Sequence, residues 1–598
     1  MDINAAKGVR WDLSDLYASI EDPQIQNDLK TATDLAQTFE SKYKPLFKEF
    51  DPKTFPLNSL IADYKAIVTL LSKVQTFALL SFAEQTSDSK RGAFRQKMTE
   101  EVTEINAHLL FWDIEWTRLS SELATLAMQN PNVKDDLHFL ENIRIYAPHT
   151  LSEPEEKILS IKRNTGGGAF SRLFDETINQ IPFEIELDGS KQVKTESEVL
   201  SYLHSSDRNL RKNALTSLAG GLENNSHLLT YIYNMILADH RSTMKIKSFD
   251  HPMMMRNLSN ETDLSIVQNL ISSSKKFYPL AQRYYRLKRK LLNLDELFDY
   301  DRYASVEAEQ KIYSFEECKN LCLDGYRSFS PEAGDIVQQF FDKKWIDAEI
   351  RPGKQGGGFC CATTPDLHPY ILVNYTGNIR DVSTVAHELG HGIHQYLARK
   401  AGVIETHAPL TMAETASVFG EMLIFDHILA LESDPKKRLS LICGKIDDNF
   451  ATVFRQISMT DFELRAHEQG LKQGELSEAD LNKNWLEANA EFYGDSITLS
   501  DGYKHGWKYI PHFVHSPFYC YAYAFAQLFV LTLYQQYKSS PSGFVPKYFE
   551  ILSLGGSKRP QEIASIMDTD LNDPGFWNQG LKLMEDLVIS AEQLAETV

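Results

Sequence analysis

Thr384-Val385-Ala386-His387-Glu388-Leu389-Gly390-His391-Gly392-Ile393-His394 is the stretch on which the reading of this chain turns. It contains an HExxH run, His387 to His391, in a setting that predicts a helix. Two histidines four positions apart stand one helical turn above each other, so both imidazoles can converge on one ion. Glu388 sits beside the first histidine, where its carboxylate can reach a water at that ion without itself being a ligand. This is the ligand-and-base unit of a zinc peptidase. The same five-residue pattern also arises by chance on exposed helices, so its surroundings decide.

Ahead of the motif, Tyr370-Ile371-Leu372-Val373-Asn374-Tyr375 predicts a short strand, and Thr376-Gly377-Asn378 a turn. Asp381 is placed to cap the motif helix. Further upstream, Gly353-Lys354-Gln355-Gly356-Gly357-Gly358-Phe359-Cys360-Cys361 is glycine-rich and runs into another candidate strand. An edge strand bordering a cleft can pair with an extended peptide through main-chain hydrogen bonds, which makes Gly356, Gly357, Gly358 and Phe359 candidate substrate-binding residues. A flexible hairpin explains the same glycines equally well.

A catalytic zinc takes three protein ligands and keeps a fourth position for water. A third histidine six residues after His391 is excluded, because that position is Leu397, and His394 falls on a different helix face. In Leu410-Thr411-Met412-Ala413-Glu414-Thr415-Ala416-Ser417-Val418-Phe419-Gly420-Glu421, two glutamates stand seven apart, two turns along one helix face. Glu414 is the candidate third ligand; Thr411 with Glu414 also reads as a capping box that needs no metal. Glu421 is either a hydrogen-bonding support for a ligand histidine or a surface carboxylate. Downstream, residues 509–523 gather His512, His515, Tyr519 and Tyr523 among other aromatic rings. Amide hydrolysis needs a donor for the oxyanion, and Tyr and His are suitable, although most such rings belong to a core.

Bulk properties narrow the partners. A net charge of −20 argues against nucleic acid and anionic membranes. The six cysteines lack a CxxC pair, which fits a reduced compartment better than a disulfide framework. The N-terminal residues carry no apolar signal region, and no run of about 18 apolar residues predicts a membrane span. The chain reads as cytoplasmic.

Helical patterns dominate from the start, after a short anchoring segment at residues 11–17. Ile67, Leu71, Val74, Ala78 and Phe82 form one apolar stripe; Val102, Ile105, Leu109, Trp112 and Trp116 form the next. These predict an antiparallel helical pair. Ser152 reads as a helix cap with Pro154 in the first turn. Gly166-Gly167-Gly168 lacks the lysine of a phosphate loop and predicts a flexible turn. Residues 181–187 alternate apolar with acidic and end at Asp188-Gly189, a hairpin signal that suggests a loose domain boundary near 195. The basic cluster at 284–292 reads as a solvated helix face, and there are no repeats.

Several of these blocks together resemble the M3 zinc metallopeptidases, in the oligoendopeptidase F branch. They are residues 11–17, 374–394, 412–417, 510–519 and 552–557, and they span nearly the whole chain. The resemblance implies a mainly α protein: a zincin-like (gluzincin) catalytic domain with a small sheet, in a two-lobed helical body enclosing a deep substrate channel. It implies an N-terminal helical domain, residues 1–195, that restricts access, and a catalytic domain over 196–598. By position, His387, His391 and Glu414 match the ligands of one zinc ion per chain, and Glu388 the general base. His512, Tyr519 and Tyr523 match groups that contact substrate and the oxyanion; His515 lies close enough in sequence to be confused with His512. The implied activity is endopeptidase cleavage of short peptides, with no statement on oligomeric state. A carboxypeptidase or dipeptidyl carboxypeptidase on the same scaffold, and a peptide binder without activity, are the alternatives.

Overall fold

Polar caps start many of the helices, and helices make up most of the chain. Asp22, Asp88, Asp207, Asp434 and Asp573 each accept a hydrogen bond from a backbone N–H in the first turn of the helix that follows. Ser152, Thr195, Ser314 and Ser477 do so in reciprocal capping boxes. In this computed structural model, which describes residues 5–187, 189–306 and 311–598, helix accounts for 70% and strand for 3%, so the mainly α class with a small sheet holds.

The chain folds into two compact units, each built from three separate stretches. The first comprises Met1–Pro148, Gln310–Ala430 and Gln536–Thr569; the second comprises His149–Glu309, Leu431–Gln535 and Asp570–Val598. Residues 1–195 and 196–598 each contribute to both.

In the first unit, helices Pro23–Tyr43, Leu57–Glu84 and Ser89–Ala107 pack side by side around Phe39, Leu60, Ile67, Leu71 and Val102. The stripe expected on one helix through Trp116 is divided. The helix stops at Ala107 and another runs Leu110–Arg118, yet Val102, Ile105, Leu109, Trp112 and Trp116 are all buried. Trp112 and Trp116, four apart on the second helix, form a stacked pair 5.4 Å apart, and the Trp116 indole N–H donates to the Leu140 carbonyl. Among the described residues, Leu57–Glu84 is the one helix long and apolar enough to cross a membrane by length and composition. Its apolar residues lie in this core, and Asp63 within it accepts hydrogen bonds from Tyr43 and Lys42.

The small sheet of the first unit has β3 (Ile346–Asp347), β5 (Tyr370–Leu372) and β4 (Phe359–Cys361) in the order β3-β5-β4. β3 runs parallel to β5 and β4 antiparallel to it, so β4 is an edge. The anchoring segment packs here: the Trp11 ring meets Tyr370 edge-on at 6.1 Å, and the Val9 carbonyl accepts from the Ala348 and Glu349 amides.

The second unit holds the hairpin of β1 (Phe183–Leu187) and β2 (Ser190–Lys194), paired from Phe183↔Lys194 to Leu187↔Ser190. Asp188 of the expected turn lies outside the described residues, as do Met1–Asn4. Phe183 and Ile185 face a core with Ile178, Leu218 and Leu222. Two expectations change in this unit. Gly166 to Gly168 open the helix Gly167–Gln180 instead of forming a free turn, because Asp239 and the Arg163 carbonyl approach too closely for a side chain. Lys288 of the basic cluster is buried, with its ammonium on Asp447 and the Arg302 carbonyl.

Candidate active site

The motif lies on the helix Ile379–Ala398. Its cap is Asn378, whose side chain accepts from the Asp381 amide at 2.9 Å. Asp381 is not the cap; its carboxylate folds back onto the amides of Thr376 and Gly377 and braces the turn out of β5. One face of the helix, with Val382, Val385, Ala386, Leu389 and Ile393, is buried. His387 and His391 share the other, and their Nε2 atoms are 3.1 Å apart.

Glu414 comes to them from the break between two helices, Leu410–Ala413 and Ser417–Leu431. Its Oε2 lies 3.2 Å from His387 Nε2 and 3.3 Å from His391 Nε2. Thr411 and Glu414 form no capping box, since the short helix is preceded by Pro409 and Glu414 ends it. Glu414 and Glu421 therefore do not share one continuous helix. Gly390 makes the approach possible: a Cβ there would stand 2.3 Å from the Ala416 carbonyl oxygen. The Ser417 hydroxyl donates to Glu414 Oε2 at 2.5 Å. Glu421 Oε1 is 2.7 Å from His387 Nδ1, which aims Nε2 of that ring at the other two donors.

The donor set fits a tetrahedral zinc ion. Ligand atoms on bonds of about 2.0–2.1 Å in tetrahedral geometry are separated by roughly 3.3 Å, and the three edges here are 3.1, 3.2 and 3.3 Å. Two imidazole nitrogens and a carboxylate oxygen at such spacings can hold a cation among them. His387, His391 and Glu414 are the group of described residues so arranged. Burial would raise the Glu414 carboxyl, but hydrogen bonding with His387 and His391 outweighs it and holds the group well below the usual carboxylate range.

Glu388 is 6% exposed, and its Oε2 has no hydrogen-bond partner among the described residues. Burial pushes its pKa up, against the opposing pull of His387 and His391. The edge strand borders it: a Cβ on Gly358 would lie 3.3 Å from Glu388 Oε1. Gly356, Gly357 and Gly358 are exposed and Phe359 half-buried at the start of β4, with the Gln355 and Gly357 carbonyls held by the Asn374 amide.

In the second unit, His512 and His515 lie on the short helix His512–His515, and Tyr523 on the helix Tyr521–Ser539. His512, Tyr519 and Tyr523 form one ring cluster with centroids 5.1 to 5.8 Å apart, and His512 Nε2 is 3.2 Å from the Tyr523 hydroxyl. His515 points elsewhere, with Nε2 2.8 Å from Asp175 on the helix Gly167–Gln180.

The turn that carries Tyr519 rests on two residues absent from the sequence reading. Phe518 has φ +60°, a left-handed conformation that L side chains adopt reluctantly. The buried Glu463 accepts from the Phe518 amide at 2.8 Å. Arg256 donates to the Pro517 carbonyl and lies 5.7 Å from the Tyr519 ring. Neither sits in a motif, and their partners are far away in sequence, so spacing carried no signal for them.

Residues 201–583 match the sequence profile of Peptidase family M3, and residues 115–183 that of Oligopeptidase F. An oligoendopeptidase F homolog from Borreliella burgdorferi is 27% identical, with 94% of each chain covered. Oligopeptidase PepF of Bacillus subtilis is 25% identical over 98% of this chain and 87% of its own. Among solved structures, a putative peptidase from Chlamydophila abortus superposes with TM-score 0.88 at 25% identity, covering 98% of both chains. Oligoendopeptidase-F from Enterococcus faecium follows the same fold, at TM-score 0.73 and 19% identity over 96% of this chain and 99% of its own.

Proposed function

The chain belongs to peptidase family M3, and from that premise we propose that it is a zinc-dependent endopeptidase that cleaves internal bonds of short peptides. The triangle of His387 Nε2, His391 Nε2 and Glu414 Oε2, with edges of 3.1 to 3.3 Å, carries the reading. A zinc ion held by these three residues would polarise the scissile carbonyl and acidify a water beside it. Glu388 takes the proton: its free, buried Oε2 is an acceptor with no competing donor, and its raised pKa makes it a stronger base than an exposed glutamate. It then passes the proton to the leaving amine. Glu421 fixes the tautomer and orientation of His387.

The open edge of β4 beside Glu388 offers main-chain partners to an extended peptide. Backbone pairing reads a peptide without demanding a particular side chain, which suits a peptidase of mixed short substrates. The resemblance gives His512, Tyr519 and Tyr523 the role of donors to the carbonyl oxygen as it gains charge, and their imidazole and phenol groups have the N–H and O–H for it. Restriction to short peptides by residues 1–195 belongs to the same proposal.

The test uses peptides blocked at both ends, with products identified by mass spectrometry. Cleavage at an internal bond, lost with chelator and regained with zinc, is the expected result. Removal of C-terminal residues only, and only from unblocked peptides, would select the carboxypeptidase reading. Binding without any cleavage, insensitive to chelator, would select a peptide binder. Glu414→Ala should lose the metal; unchanged zinc stoichiometry would remove it from the ligand set. A folded protein should remain intact under conditions that consume its peptide fragments.

A further inference from the structure

Several arginines drawn into the second unit are met by acids. Arg211 and Arg208 both pair with Asp301, and Arg465 pairs with Asp461, Glu487 and Glu491. This is the ordinary solution, since a guanidinium withdrawn from water needs a counter-charge. Arg241 and Arg256 donate to the Gly470 and Pro517 carbonyls instead, and Arg302 and Arg455 differ from both groups. Among the described residues, neither has a carboxylate within ion-pair distance.

Both instead face tyrosines. Arg455, half-buried on the helix Phe454–Gln473, donates to the Tyr303 hydroxyl at 2.6 Å and to the Tyr509 hydroxyl at 3.4 Å. Arg302 lies 4.7 Å from the centre of the same Tyr303 ring and donates to Tyr493 and Tyr503 at 3.2 and 3.3 Å. Arg302 is 7% exposed, and its Nε is buried without a partner. Asp299, whose charge Arg302 also feels, is taken up by the Ser500 amide and hydroxyl.

The hydrogen bonds show what this cluster can offer a ligand. A phenol that accepts from a guanidinium still has its own proton to donate. Tyr303 and Tyr509 both accept from Arg455, and no acceptor for either O–H occurs among the described residues. Two hydroxyl donors and a guanidinium with N–H groups to spare thus meet with no acceptor, on a protein of net charge −20. Tyr303, Tyr509 and Arg455 are all half-buried, so solvent and solutes reach them. Tyr509 also ties this cluster to the candidate substrate-contacting block, because the chain runs from it through Ile510 and Pro511 into His512. The positive charge of Arg455 is felt at His512, where it adds to burial and His515 in lowering the imidazole pKa.

We propose that Arg455, with the hydroxyls of Tyr303 and Tyr509, forms a receptor for a carboxylate of the substrate peptide. The planar fork of a guanidinium matches a carboxylate with two parallel N–H bonds, and the two phenols complete the cradle. A carboxylate anchored there sets the register of the peptide against His512 and the adjoining tyrosines. The proposal rests on the peptidase reading, in that the carboxylate belongs to a substrate.

The test crosses peptide charge with protein charge. One cleavable peptide is prepared with a free or an amidated C-terminus, and separately with its acidic side chains replaced by Asn or Gln. Wild type, Arg455→Met, Arg455→Lys and Tyr303→Phe are compared by KM and kcat. Removing the recognised carboxylate should raise KM about tenfold in wild type at nearly unchanged kcat. Which arm responds tells whether the α-carboxylate or a side chain is bound. Arg455→Met should raise KM for the charged peptide by a similar factor and be indifferent to the charge change; Arg455→Lys should recover only part. An unaltered charged-to-neutral ratio in Arg455→Met, or a ratio of one in wild type, overturns the proposal. Calorimetric binding of the same peptides to Glu388→Gln protein and its Arg455→Lys double variant reads the preference without turnover. If wild type cleaves nothing, the peptidase reading falls, while this binding arm still decides the carboxylate site.

Discussion

His387 and His391 come from one helix and Glu414 from a break between two later ones, whereas His512, Tyr519 and Tyr523 hang on supports from remote helices. The first group is charged and mutually satisfied: each donor atom lies within 3.3 Å of the other two, and Ser417 and Glu421 hold the periphery. The second is aromatic and loosely joined, with ring centroids more than 5 Å apart and one hydrogen bond of 3.2 Å within it. Its geometry comes from outside, through Glu463 and Arg256 on the Pro517–Phe518 turn and Arg455 on Tyr509. A metal-binding group can be organised by its own ligands; a group of neutral donors has to be positioned by the fold.

The sharpest separation of the two regions is expected from Glu388→Gln. It should lower kcat by about a thousandfold or more while zinc content stays at wild type; a variant keeping a tenth of the activity would take Glu388 out of the chemistry. Glu421→Ala should weaken zinc binding about 10- to 100-fold, read by competition with a chelator dye. Unchanged affinity would mean that Glu421 does not govern His387.

In the second region, Glu463→Gln should act on stability in a pH-dependent way. Burial pushes the Glu463 carboxyl up from 4.5 to about 8, only partly offset by the Phe518 amide and Arg256. A raised folded-state pKa means that its stability contribution is complete below pH 4.5 and is lost as pH rises through about 8. Wild type should therefore lose up to about 1.4 kcal/mol per pH unit across that window through this group. Gln keeps an acceptor for the Phe518 amide and does not ionise. Its melting temperature should match wild type at pH 5 and exceed it at pH 8, and parallel curves would place the ionisation elsewhere. The smallest effect is expected from His515→Ala, because the ring is exposed and engaged with Asp175. Its kcat/KM should stay within about twofold of wild type, and its stability within about 1 kcal/mol. A loss like that of His512→Ala would return His515 to the substrate-contacting group.

The helical class was legible because caps and apolar stripes are local. Ser152 with Glu155 and the stripe of Ile67, Leu71 and Val74 involve neighbours within a few turns. The break at His108 was not, since its consequence, Trp116 reaching the Leu140 carbonyl, is a contact between helices. Lys288 looked like part of a solvated face until Asp447 and the Arg302 carbonyl were brought to it.

The candidate site divides in the same manner. By itself the sequence determined that His387 and His391 share a face and that Glu388 adjoins them, because the pitch of a helix depends only on the backbone. It could not decide between a ligand and a cap for Glu414, because the pattern is the same for both. Tertiary packing brings the Glu414 carboxylate to both histidines, by pressing the 414–417 segment against Gly390, where a side chain would collide. Packing alone also gave Phe518 its buried glutamate and left Arg455 among tyrosines without an acid. Helical periodicity is written in adjacent residues; the partner of a buried charge depends on where the rest of the chain folds.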